Sequence, residues 1–211
     1  FSENYAPTRP GIELFHVKQA HSLSDAAAGL EESNLVYLGL ENFCPAVQTL
    51  FELRPMLGVR TAVNTFARDL NPFRAPYQLQ GVFHPPYKAL HLGTAKALGQ
   101  PNAAIFKGGG GEVLRNPMKP ALADALVGGE HIVQEWPALT EETTYKWREE
   151  DLSPPQLLKM WQGKLTLPVP ELAIIGTLAV ALKMAEPSLD FRAADTRARD
   201  IWESRDRARF G

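Results

Sequence analysis

Cysteine is almost missing from this 211-residue chain, where Cys44 stands alone. A single thiol excludes any internal disulfide and cannot by itself build a thiolate metal site, which suits a reducing compartment such as the cytoplasm. Long apolar runs are lacking as well. The longest, Leu172 to Leu182, falls well short of the ~20 residues that span a bilayer, so it reads as a buried helix and no membrane is expected as a partner. No internal repeat and no low-complexity tract appears, and no basic stretch followed by an apolar one opens the chain. The first residue is Phe1 instead of methionine, so the native start is expected to lie upstream. What the chain does have is 45% hydrophobic and 22% charged residues, an ordinary globular balance that should bury a real core.

Net charge is only −2 and hides a segregation of sign. Residues 1–53 sum to −5, residues 54–120 to +7 and residues 121–211 to −4. The middle segment holds Arg54, Arg60, Arg68, Arg74, Lys88, Lys96, Lys107, Arg115 and Lys119 against Asp69 and Glu112. A local excess of cations with four successive glycines, Gly108 to Gly111, near its end points to a phosphate-rich ligand.

The pattern of elements predicts α/β architecture. A helix should start near Ser24-Asp25, and Leu35-Val36-Tyr37-Leu38 reads as a short buried strand. Pro45 opens a helix whose apolar face carries Val47, Leu50, Phe51, Leu53 and Leu57, and Pro55 should kink or end it. Gln78 to Phe83 reads as a strand, Tyr87 to Leu98 as a helix ending near Gly99, and Ala103 to Phe106 as a strand running into the glycines. His131 to Glu135 offers a fourth strand, and helices are expected over Pro155 to Gln162, Glu171 to Met184 and Ala193 to Arg209. In the last of these, Asp195 with Arg199 and Glu203 with Arg207 are spaced for i,i+4 ion pairs on a solvated face. Strands alternating with helices imply a single α/β domain over residues 1–211, a central sheet with parallel strands flanked by helices, whose ligands bind at the strands' carboxyl ends.

The glycine run lacks the lysine and serine or threonine of a nucleotide P-loop, and Val113 occupies the third-glycine place of a dinucleotide fingerprint. A strand entering a glycine loop still lets the backbone approach an oxyanion closely. Lys107 would neutralise phosphate there and Glu112 could hold Mg²⁺ through one carboxylate plus waters; a flexible turn with solvated flanking charges stays open as the alternative. His84 and His91, separated by Pro85-Pro86, suit packing or capping better than joint metal ligation. Trp136, Trp147 and Trp161 fit buried amphipathic rings, with a base-stacking surface as the other reading.

One ordered set of motifs carries a resemblance. Cys44-Pro45-Ala46, Leu53-Arg54, Leu57-Gly58-Val59-Arg60-Thr61, Asn64, Asn71-Pro72, Gly81-Val82-Phe83-His84-Pro85 and Phe106-Lys107-Gly108 through Glu112 follow one another over most of the chain. Together they resemble the anthranilate phosphoribosyltransferase-like glycosyltransferase family, and within it the divergent branch that includes DNA-binding paralogues. The resemblance implies the family's C-terminal α/β domain, of nucleoside phosphorylase and phosphoribosyltransferase type, with the N-terminal helical domain and the upstream pyrophosphate loop absent from this stretch. It also implies phosphoribosyl pyrophosphate and Mg²⁺ as ligands and a homodimer for the full-length protein. Arg54 matches an arginine that contacts the aromatic acceptor. Glu112 falls where the family carries an aspartate–glutamate pair for metal, with Gly111 in the aspartate's place, and Cys44 replaces a histidine before Pro-Ala.

Two functions follow as expectations. One is Mg²⁺-dependent transfer of phosphoribose to an acceptor the sequence does not name, using Arg54, Lys107, Gly108, Gly109, Gly110, Gly111 and Glu112, with residues 1–211 inactive by themselves. The other is a non-catalytic paralogue that holds single-stranded nucleic acid through phosphate contacts from Arg60, Arg68, Lys107 and Arg115.

Overall fold

The structure, a computed structural model, describes residues 8–59, 61–109, 112–147 and 149–210. In chain order its elements are α1 (Thr8–Leu14), β1 (Lys18–Ala20), α2 (Leu23–Ser33), β2 (Val36–Leu38), α3 (Leu40–Phe43), α4 (Pro45–Glu52), α5 (Arg54–Leu57), α6 (Val63–Phe66), β3 (Tyr77–Val82), α7 (Tyr87–Ala97), β4 (Asn102–Lys107), β5 (Ala121–Val127), β6 (Glu130–Trp136), α8 (Pro154–Trp161), α9 (Pro168–Ala185) and α10 (Phe191–Glu203). Where the sequence reads as one domain, these elements group into two compact units. Among the described residues, one takes those of 74–147 and 166–206, the other those of 8–73, 149–165 and 207–210.

In the second unit β1 and β2 form a parallel pair joined by α2. Ser22 caps α2 by accepting the Asp25 N–H at 3.1 Å, and Asp25 Oδ2 accepts the His21 N–H at 2.9 Å. A Cβ on Gly29 would stand 2.7 Å from Val36 Cγ2, so the missing side chain is what lets α2 lie so close to its strand. Pro45 occupies the first turn of α4, and the chain leaves the helix after Glu52, just before Pro55. The apolar face expected here is only partly covered: Val47, Phe51 and Leu53 are half-buried. Leu50 and Leu57 are 41% and 51% exposed, and no residue of α4 or α5 is buried.

The first unit is built on a four-stranded sheet in the order β3-β4-β5-β6. β3 and β4 run parallel, as expected; β5 and β6 then return antiparallel, so the sheet is mixed. Gly128 and Gly129, at φ 59° and 86°, close the two-residue hairpin between β5 and β6, a turn that needs positive φ at both places. Ala103, Ala104, Ile105 and Phe106 are all buried, which requires cover on both faces of β4, and α7 and α9 both pack against that strand. On the α7 side, Ala95 meets the register partners Ala103 and Leu126. α9 is long and apolar enough to cross a membrane by length and composition, yet Ala173, Ile175, Gly176, Ala179, Val180 and Met184 are buried within the protein. Asp190 caps α10 by accepting the Ala193 N–H at 2.7 Å. That helix ends at Glu203, short of the expected Arg209, so Arg207 lies outside it, its guanidinium against Gly163.

Candidate functional site

The carboxyl ends of β3 and β4 lie side by side because the two strands are parallel and in register, Val82 opposite Lys107. The chain does not fray there. Gly108 N–H donates to the Val82 carbonyl at 3.1 Å, and Gly108 bridges Arg115 across the base of the loop that follows. Inside that loop, Glu112 N–H donates to the Gly109 carbonyl at 3.0 Å and Leu114 N–H to the Glu112 carbonyl at 2.9 Å. A Cβ on Gly108 would fall 1.6 Å from the Glu112 carbonyl oxygen. Glycine is therefore a geometric requirement at 108, whereas a Cβ on Gly109 meets nothing nearer than Leu114 at 3.5 Å. Gly110 and Gly111 lie outside the described residues. Lys107 and Glu112 are both exposed at this edge, so a cation and a carboxylate border the loop as expected.

Arg115 has a different place from the one expected. Its side chain is fully buried, held by Asp195 Oδ1 at 2.7 Å, the Pro137 carbonyl at 2.7 Å and the Trp136 ring, whose centroid is 4.5 Å from the guanidinium carbon. Its backbone N–H donates to Thr177 Oγ1 at 3.0 Å. Burial presses its pKa below the usual guanidinium value, against the hydrogen bond and charge of Asp195. Arg115 thus pins the downstream end of the glycine loop to α9 and α10 from inside and has no surface from which to reach a nucleic-acid phosphate. Asp195 was expected to pair with Arg199 along its own helix; it turns inward to Arg115.

The remaining expected residues fall in three places. Arg54 is exposed on α5, in the second compact unit. Arg68, in that unit too, is half-buried with Nε donating to the Asn64 carbonyl at 3.4 Å. Arg60 lies outside the described residues. Of the tryptophans, Trp136 is buried edge-on to Phe191 at 4.7 Å, Trp147 stands against Tyr145 and Trp161 against Phe210, so all three have aromatic neighbours. His91 is buried at 2% exposure, and His84 is exposed beside Phe83.

Sequence reading missed one ionic cluster in the first unit. Lys88 Nζ on α7 lies 2.8 Å from Asp124 Oδ2 on β5, and His131 Nε2 on β6 lies 3.1 Å from Oδ1 of the same carboxylate. Burial raises the pKa of Asp124, but the hydrogen bonds from Lys88 and His131 outweigh it and hold the carboxyl below the usual aspartate range. No spacing rule links positions 88, 124 and 131; the sheet brings them together.

Magnesium fits this donor set poorly. Among the described residues no group of three or more His, Cys, Asp or Glu is placed to hold a metal ion. Glu112 offers one carboxylate, and Mg²⁺ bound by so few protein oxygens takes the rest of its shell from waters and ligand phosphates. A resident ion is not built into these residues.

Comparison with known proteins gives the chain its relatives. No family model matches it. An uncharacterized protein of Aquifex aeolicus is 29% identical over 125 residues, 58% of this chain and 38% of that protein. The anthranilate phosphoribosyltransferase of Staphylococcus aureus is 28% identical over 128 residues, 61% of this chain and 35% of the enzyme. Two solved structures of the Saccharomyces cerevisiae anthranilate phosphoribosyltransferase share the fold. A variant with Mg bound has a TM-score of 0.59 at 18% identity, covering 81% of this chain and 51% of its own. A complex with 4-fluoroanthranilate has a TM-score of 0.62 at 16% identity, covering 90% and 55%. The chain spans little more than a third of the length of the curated relatives and about half of the solved ones.

Proposed function

We propose that this chain, similar to anthranilate phosphoribosyltransferases over part of their length, is a phosphoribosyltransferase-like protein that binds a phosphorylated sugar, phosphoribosyl pyrophosphate by preference, at the carboxyl ends of β3 and β4. The observation that carries the reading is the loop closed on Gly108, where a side chain is sterically forbidden, flanked by exposed Lys107 and Glu112. Lys107 supplies the cation for a phosphate at this edge, and the glycine at 108 lets the backbone approach closely. Mg²⁺ then enters with the phosphates and not as a resident ion.

The chemistry such a site would serve is transfer of phosphoribose. The bond from the sugar's C1 to pyrophosphate breaks, a bond from C1 to an acceptor nitrogen forms, and the acceptor's proton leaves to solvent. The protein's task is to stabilise the charge that gathers on the departing pyrophosphate. The acceptor is an amine or base of unassigned identity. Titration calorimetry with phosphoribosyl pyrophosphate, with and without Mg²⁺, tests the reading. Lys107→Ala should weaken binding at least tenfold, consistent with losing a charge-assisted contact of about 1.5–3 kcal/mol, and Glu112→Ala should remove the Mg²⁺ requirement. Binding untouched by either substitution rejects this site.

A second reading, single-stranded nucleic acid held through its phosphates, is favoured by the cations of the 54–120 segment that are exposed: Arg54, Arg74, Lys96, Lys107 and Lys119.

A further inference from the structure

The outer edge of β6 is open. It is the last strand of its sheet, and among the described residues no strand pairs with its far side. Which backbone groups face out follows from the turn. A two-residue hairpin makes the residues flanking it, here Val127 and Glu130, a hydrogen-bonded pair, and such pairs then alternate along the ladder. Glu130, Ile132, Gln134 and Trp136 therefore bond to β5, while His131, Val133 and Glu135 turn their N–H and carbonyl groups outward. Among the described residues no further hydrogen bond reaches those outward groups.

β6 also lacks the devices that usually blunt such an edge. Its seven residues pair with β5 without a bulge, and none of them is lysine or proline. Its side chains are open as well: Glu130 and Glu135 are exposed, Ile132 is 41% exposed and Val133 56%. His131, Val133 and Glu135 share one face of the sheet with their β5 partners Leu126, Asp124 and Leu122, the face on which Lys88 of α7 reaches Asp124. His131 Nε2 lies 3.1 Å from Asp124 Oδ1, which leaves Nδ1 of the ring available.

We propose that β6 pairs antiparallel with β6 of a second copy of this chain, centred on Val133, so that two four-stranded sheets become one. In that register Val133 meets the second copy's Val133, and His131 meets Glu135 on either side of it. Every outward N–H and carbonyl of the three residues then finds a partner. The strand is complementary to itself in charge, and that complementarity selects both the occupant and the register. Moving the centre by one residue sets an outward residue against Gly129 of the turn or against Pro137, which has no N–H. Moving it by two sets Glu135 against Glu135 or His131 against His131, and like groups directly opposite are destabilising when charged. The pairing uses residues of the sheet unit alone and does not depend on the phosphate site.

Sedimentation velocity of the 211-residue chain over a concentration series tests the pairing, and a dimer that dissociates in the micromolar range is expected. Val133→Pro removes an outward N–H and no bond to β5, so it should give a monomer with an unchanged circular dichroism spectrum. Glu135→Arg, at an exposed position, sets a cation against His131 and should raise the dissociation constant about tenfold. Cysteine pairing in a Cys44→Ala background reads the register. Val133→Cys should cross-link on oxidation, its two Cα atoms being about 5.5 Å apart, whereas Glu130→Cys, opposite Trp136, should not. A dimer indifferent to both Val133→Pro and Glu135→Arg, or one that cross-links through position 130 and not 133, overturns the proposal. So does a wild type that stays monomeric; if its β6 amides then gain protection from hydrogen exchange only when a different protein is added, the edge belongs to that protein and not to a second copy.

Discussion

Taking the Arg115 guanidinium out of water is costly unless its donors are met; here Asp195 and the Pro137 carbonyl take Nη1 and Nη2 and the face of Trp136 covers the group, while Nε is buried without a hydrogen-bond partner. Breaking that set from either side should therefore hurt more than a surface pair would. Arg115→Met or Asp195→Asn should each destabilise the protein by about 3–5 kcal/mol in urea unfolding, with Arg115→Lys failing to restore the planar, multiply donating head. A loss below about 1 kcal/mol for both would mean the pair is not what holds the loop's end. Asp124 supports a prediction about pH. Its folded pKa lies below the unfolded value, so its contribution is present above the unfolded pKa of about 3.9 and is lost as pH falls through the folded pKa. Asp124→Asn should lower the melting temperature at pH 7, and the gap from wild type should shrink as the pH is taken from about 5 to below the folded pKa. A gap that stays constant over that range would show that the carboxylate's charge is not what Lys88 and His131 stabilise. Arg115 and Asp124 were legible as charges but not as partners, because Asp195 and Lys88 are distant in sequence and only the fold supplies their proximity.

Elements governed by local chemistry could be read from the sequence. Pro55 marks where α4 stops, Gly99 follows the end of α7, and the strands that become β3 and β4 were placed within a residue or so. β5 was missed. Its sequence, Ala-Leu-Ala-Asp-Ala-Leu-Val, is rich in alanine and has little strand propensity; it is a strand because β4 and β6 pair with it on both sides. Because β5 and β6 were not seen as a hairpin, the antiparallel half of the sheet was not foreseen. α10 fell short for the opposite reason: its charged i,i+4 spacing continues past Glu203, but the chain turns away. The partly covered face of α4 shows a further limit, since an apolar stripe does not say how much of it is covered or by what. For the glycine loop the sequence located the element and the structure assigned its critical position. Gly108→Ala places a Cβ against a backbone oxygen that has nowhere to go, so the loop must reopen. That substitution should abolish phosphoribosyl pyrophosphate binding and cost about 1–3 kcal/mol, whereas Gly109→Ala should do neither. Equal tolerance of both alanines, measured by calorimetry and urea unfolding, would contradict the closed loop.

Over the whole molecule, the excess of +7 between residues 54 and 120 overstates what a ligand meets. Lys88 and Arg115 spend their charge on Asp124 and Asp195, both outside that segment, and its residues up to Phe73 belong to a different compact unit from Arg74 onward. Counting charge along the chain could not tell solvated cations from buried ones. In the unit that carries the sheet, the exposed cations of the segment are Arg74, Lys96, Lys107 and Lys119. If single-stranded nucleic acid is bound there, each phosphate contact should contribute about −0.7 to the slope of log affinity against log salt, so those four account for no more than about −3. Replacing all four by alanine should flatten the measured slope by up to that amount with little dependence on base sequence. An Arg115 substitution that leaves the protein folded should not change it. Fluorescence titration of a labelled oligonucleotide at several salt concentrations decides the matter. A slope unaffected by the fourfold substitution, or no binding at low salt alongside tight phosphoribosyl pyrophosphate binding, would confine the positive charge to a small-molecule site. A slope that falls with each of the four cations would instead make the sheet's carboxyl edge part of an extended phosphate track, with Lys107 common to both ligands.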